Sequence, residues 1–243
     1  MRHTKTAISL TIIITLIVTK IAWCAEKPTA KPISEIAIDA VHRDFEWTRP
    51  LQLFAKPGHL HFLTSGSLYE VRITEETEPS PVFYVVINDV GDPHVFFDYH
   101  YMSACSVLFD FKNNTAEHVL LENMIQSFSK IAQKEGRDLS DKDITYQFVN
   151  AFLYLVGSRS DLLSNLDEIY LLKGHRIEEL IKFEKIIKPI RKDIQGDKYI
   201  LNFFSWKTYP SSGVITKWSL AVTPTGEILA YERETILSGR SIR

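Results

Sequence analysis

Cysteine is scarce in this chain: Cys24 and Cys105 are the only two in 243 residues. Cys24 falls in a segment that reads as a removable leader, so the mature chain keeps Cys105 alone and has no intramolecular disulfide open to it. A basic surplus is missing too. The full chain carries 28 Lys and Arg against 30 Asp and Glu, and its first 25 residues hold Arg2, Lys5 and Lys20 but no acid; without them 25 basic side chains face 30 acidic ones, a net charge of −5. A mildly acidic domain lacks the basic footprint that displaces counterions from phosphates, which argues against nucleic acid as a partner. No Gly-x-Ser-x-Gly elbow occurs, and Ser65-Gly66-Ser67 and Ser211-Ser212-Gly213 read as turns. No glycine-rich loop ends in Lys-Ser or Lys-Thr, so the phosphate cradle of nucleotide enzymes has no support. Self-similarity at a period of about 20 to 50 residues is also absent, so a solenoid or propeller is not indicated.

What is there begins with the leader. Arg2, His3 and Lys5 precede an apolar run from Ala7 to Val18, followed by Ile21-Ala22-Trp23-Cys24-Ala25. This is the layout of a secretory signal peptide over residues 1–25, cleaved after Cys24 or Ala25. Lys20 cuts the run short of the ~20 apolar residues that a membrane span needs. Trp23 is too large for the position before a lipid-anchored cysteine. A secreted or periplasmic protein without a transmembrane span in its mature chain is the expectation. Residues 26–32 read as a flexible tether, 33–237 as a single α+β domain and 238–243 as a flexible tail.

The C-terminal stretch is the most legible. Tyr199–Tyr209, Val214–Thr223 and Glu227–Ile236 are rich in β-branched and aromatic residues and are separated by Pro210-Ser211-Ser212-Gly213 and Pro224-Thr225-Gly226. They predict a three-stranded antiparallel meander. Upstream, Ile33 to Trp47 is ambiguous: Ile33, Ile36, Val41 and Phe45 suit a short helix, the reading preferred, while Ile36, Ile38 and Ala40 alternate as in a strand. Candidate strands follow at His59–Thr64, Leu68–Glu75, Val82–Asn88, His94–Met102 and Ala104–Phe111. About four central helices are predicted: Glu117–Lys134, one from Ser140 to Gly157 capped by Ser140, Asp161–Lys173 and Arg176–Lys188. Strands, then helices, then strands indicate an α+β fold in which one antiparallel sheet, joining the N-terminal β region to the meander, packs against those helices.

Three constellations are candidates for function. His59 and His61 share one face of the first strand, and His94, Asp98 and His100 one face of another; His61, His94, Asp98 and His100 are residue types that bind zinc with positions left for water. In a simple meander, however, two strands separate the two groups. A solvated sheet face accounts for the same pattern. The loop Asn88-Asp89-Val90-Gly91-Asp92 invites a calcium reading but is too short for a helix-flanked site and reads as a hairpin turn. Phe203, Trp206, Tyr209 and Trp218 offer enough aromatic surface to line a small-ligand or peptide pocket. Lys182, Lys185 and Lys188 recur every three residues on the predicted fourth helix and suit an anionic surface. Cys105 shares the parity of Val107, Phe109 and Phe111 and is expected to face the core.

These observations point to an exported non-catalytic binding or interaction protein of the cell envelope or extracellular space. Its partner would be a small molecule, a peptide or another protein, with no cofactor. A metal-dependent hydrolase, with zinc held by the His and Asp residues above, is the alternative.

Overall fold

The computed structural model describes residues 31–45, 50–55, 60–73, 82–98, 114–165, 185–209 and 212–240. The leader, the tether as far as residue 30, the strand expected at Ala104–Phe111 with Cys105, and most of the last two expected helices lie outside them. Contacts divide the chain into Met1–Glu35 and Ile36–Arg243. Of the first unit, the described residues Lys31–Glu35 include the start of a helix; all that follows concerns the second.

The elements in chain order are α1 (Ile33–Phe45), β1 (Leu51–Ala55), β2 (Gly66–Ile73), β3 (Val82–Asn88), β4 (Pro93–Asp98), α2 (Asn114–Glu135), α3 (Lys142–Leu155), β5 (Asp161–Leu163), β6 (Arg191–Gln195), β7 (Lys198–Tyr209), β8 (Ser212–Val222) and β9 (Ile228–Arg240). The α+β class with antiparallel strands is as expected, and the meander is β7, β8 and β9. The strands nevertheless form two sheets where one was expected: β1-β2-β3-β4, and β5-β7-β8-β9 with β6 also paired to β7. Every described pairing is antiparallel.

The reason for two sheets is α3. Its buried residues Thr145, Phe148, Val149, Ala151, Phe152, Leu153 and Leu155 cover more than half of the helix circumference, and Lys142, Asp143 and Tyr146 stay exposed on the remaining arc. An apolar face that broad needs cover from more than one side. On one flank Tyr154 meets Tyr84 of β3, ring centroids 5.3 Å apart. On the other, Phe152 makes edge contacts with Trp218 of β8 at 5.2 Å and Phe203 of β7 at 6.1 Å. Beyond the first sheet, Phe45 of α1 packs on Phe83 at 5.2 Å, so β3 is covered on both faces and is buried from Val82 to Ile87.

Local chemistry fixes the joints. Asp141, not Ser140, caps α3: its Oδ1 accepts from Asp143 N at 2.7 Å and Ile144 N at 3.1 Å. Ser140 is occupied instead by Asp138, to which it donates through both backbone N and Oγ. The turn between β8 and β9 rests on the two long helices, with Ile228 N donating to Ser129 Oγ at 2.8 Å. Gly226 has φ +89°, and a Cβ there would lie 3.2 Å from that of Ala132; the turn needs a residue without one.

Two further expectations are corrected. Residues 60–65 form a turn, closed by Leu63 N to Leu60 O at 2.8 Å, where a strand was expected. Alternating His61 and Phe62 imitate a strand, but Arg137 Nη1 donates to the His61 carbonyl at 2.7 Å and Glu135 holds both Thr64 and Ser65. Asp161–Leu163 is a strand edge on β7, not the start of a helix. Among the described residues no helix is long and apolar enough to cross a membrane.

Candidate functional site

The residues proposed as metal ligands are dispersed. His61 is exposed in the turn after Leu60, and His94 is half-buried in β4. Burial, helped by Lys130 and Lys134, pushes the His94 imidazole below its ordinary pKa. His100 lies outside the described residues. Among the described residues no three His, Cys, Asp or Glu side chains come together as a metal group. Asn88–Asp92 is a turn: Asn88 Oδ1 accepts from Val90 N and Asp92 N, and the Lys134 ammonium stands 3.9 Å from Asp92.

Asp98 corrects the expectation of a solvated face most sharply. It is 3% exposed, and its Oδ1 accepts from the Lys207 ammonium of β7 at 3.4 Å. The pair spans the two sheets. Lys207 shares inward parity with Leu201, Phe203 and Ser205. Its pKa is lowered to about 8, chiefly by burial and further by Arg159 and Arg233, with Asp98 acting in the opposite direction. Arg159 follows α3 in a turn where Ser158 and Arg159 take φ of +54° and +60°, the left-handed region that non-glycine residues avoid. Burial disfavours the Arg159 charge, but Tyr84, Tyr154 and Asp98 outweigh it and raise the pKa. On the same face of the first sheet, Glu70 of β2 is 5% exposed and ion-paired to Arg72. The inward parity of Lys207 was the signal that sequence reasoning passed over.

The aromatic residues proposed as a pocket are packed. Phe203 and Trp218 stack on one another with centroids 6.5 Å apart, and Trp218 Nε1 donates to Ser205 Oγ at 3.0 Å. Trp206 lies on the opposite face of the sheet in a small cluster with Leu163, Ile187, Phe204 and Ile215. It presses so closely on Gly213 that a Cβ there would come within 1.9 Å of the indole. The side chain of Tyr209 is outside the description. Of the lysine row, Lys182 is outside as well. Lys185 and Lys188 are exposed but belong to turn and coil, which corrects the helical row expected there.

A cavity occurs elsewhere, between the first turns of α3 and the segment entering β6. Its volume is about 330 Å³, near the small end for ligand sites. Thr145 and Tyr146 form the helix side, Pro189 and Ile190 the opposite wall, and Lys142 and Lys192 complete the lining with Ser164. Lys192 is fastened in place: its Nζ donates to the carbonyls of Leu139 at 2.6 Å and Ser140 at 2.7 Å and reaches Thr145 Oγ1 at 3.4 Å. Its ammonium also lies 5.2 Å from the centre of the Tyr199 ring. These bonds tie β6 to the cap of α3, so both walls are held by ordered structure. Comparison with family models, curated proteins and solved structures returns no match for this chain.

Proposed function

We propose that this chain is an exported, non-catalytic binding protein of the cell envelope or extracellular space, with its ligand held between α3 and β6. The cavity is the observation that carries this reading. It is concave, walled by Tyr146, Pro189 and Ile190 and anchored by the Lys192 bonds, the combination of apolar wall and fixed polar groups that small-molecule sites share. The charged n-region and apolar run of residues 1–25 support export.

The test uses residues 26–243 and the neutral fluorescent probe N-phenyl-1-naphthylamine. Saturable binding near one equivalent is expected, and it is expected to disappear in Ile190→Trp, which fills the space, while the circular dichroism and melting temperature stay close to wild type. Absence of saturable binding, or equal binding by Ile190→Trp, would remove the proposal.

A further inference from the structure

Granted that the cavity binds a ligand, its lining specifies the chemistry of that ligand. Among the described residues two lysines and no carboxylate border it, in a domain whose mature charge is negative. Thus the local sign opposes the sign of the whole. The two lysines also differ in what they are doing. Lys192 spends its donors on Leu139, Ser140 and Thr145; it contributes field but has no spare hydrogen. Lys142 is exposed, and among the described residues its ammonium has no hydrogen-bond or ion-pair partner. One committed cation and one uncommitted cation border the same apolar space.

An apolar wall accepts a ring or short chain, and an unmatched positive charge at its edge selects the end group. We infer that the cavity takes a small amphipathic acid, its apolar body between Tyr146 and Ile190 and its carboxylate or sulfonate paired with Lys142. A neutral molecule of the same body would leave the ammonium unanswered, and a cation would meet two like charges. Lys142 thereby acts as a specificity residue, and Lys192 as the fastener that holds the wall and adds to the field. The Asp138, Asp141 and Asp143 carboxylates lie near in sequence but are not part of the lining, and Asp138 and Asp141 are already engaged, by Ser140 and by the first N–H groups of α3.

The discriminating experiment pairs two probes with one aromatic body, 1-anilinonaphthalene-8-sulfonate and the neutral N-phenyl-1-naphthylamine, titrated by fluorescence into residues 26–243. The sulfonate is expected to bind about three- to fivefold tighter at low salt, the range of a partly exposed ion pair, and the advantage is expected to shrink as salt is raised. Lys142→Gln is expected to bring the ratio of the two affinities close to one and Lys142→Glu to invert it, each ratio being taken within one variant so that any general effect of the substitution on the cavity cancels. Equal affinity of wild type for both probes, or a sulfonate preference that survives Lys142→Glu, overturns the inference while leaving the cavity as a binding site. Failure of both probes removes the cavity reading together with the inference built on it.

Discussion

The two sheets are both antiparallel, yet they solve burial in opposite ways. In the first, β3 is buried at every position from Val82 to Ile87 because α1 covers one face and α3 the other. In the second, β8 alternates strictly from Thr216 to Val222, buried residues facing α3 and half-buried ones facing away. The same strand geometry therefore reads as a continuous apolar run in one place and as alternation in the other. Parity carries information only where one face meets water. Inside the first sheet it is mute, and a carboxylate such as Asp98 enters without disturbing any pattern.

The comparison is broken most forcefully by placing a charge at each parity. Val85→Asp and Val86→Asp, which face opposite sides of β3, are both expected to cost more than about 4 kcal/mol, because each buries a carboxylate in apolar surroundings. In the second sheet Leu220→Asp should cost as much, whereas Asn202→Asp on the outer face of β7, opposite Arg191, should stay within about 0.5 kcal/mol of wild type. Urea unfolding of the four variants checks this. If β3 tolerated Asp at either parity, its two-sided burial would be wrong.

The next test addresses the bond between the sheets. Lys207→Met leaves the Asp98 carboxylate buried without that ammonium and should cost about 3–5 kcal/mol at neutral pH, while Asp98→Leu/Lys207→Met should recover most of the loss. The pH dependence has a definite sign. The folded Lys207 pKa of about 8 lies below its ordinary 10.5, so between those values the unfolded chain binds more protons and stability rises with pH. Below pH 8 both states hold the proton and the cost of the buried ammonium is constant. Wild type should thus gain on the double variant as pH climbs from 8 to 10.5; a gain on lowering pH instead would mean that Asp98 more than compensates burial.

How much was legible follows the same line. The meander could be read because Trp218, Leu220 and Val222 alternate with Lys217, Ser219 and Ala221 and because turn residues separate its strands. The helices α2 and α3 were legible from spacing, since Phe148 and Phe152 recur at i, i+4. Beyond that, the deciding partners lie far apart in sequence. His61 and Phe62 alternate like a strand, and only the clamp from Glu135 and Arg137 makes them a turn. Lys192 lies 47 residues from Thr145, so no local spacing announces the cavity between them. Asp98 and Lys207, 109 residues apart, are equally silent until the sheets face each other. The proposed aromatic pocket rested on counting Phe203, Trp206 and Trp218 as one surface, whereas strand parity puts Trp206 on the other side of the sheet.

The gentlest test concerns that clamp, which holds the turn leading into β2 and so the entry to the two-faced sheet. Glu135 closes α2, an end where the helix dipole disfavours an anion, yet its carboxylate accepts four bonds: Thr64 N at 2.9 Å, Thr64 Oγ1 at 2.6 Å, Ser65 N at 3.0 Å and Ser65 Oγ at 2.7 Å. Partial burial works against the charge, but these bonds outweigh it and hold the carboxyl below its ordinary pKa. Glu135→Gln keeps the shape and turns an NH₂ group toward two donors, so a loss of about 1–3 kcal/mol at pH 7 is expected. Because the folded pKa is depressed, the carboxylate's contribution is complete above the ordinary value of 4.5 and fades as pH falls through the folded value. Wild type and Glu135→Gln should therefore converge in acid, read by urea unfolding at pH 7 and below pH 4. A difference that held constant over that range would assign the loss to shape and not to charge, and the turn would owe its form to the Arg137 bonds on its other side.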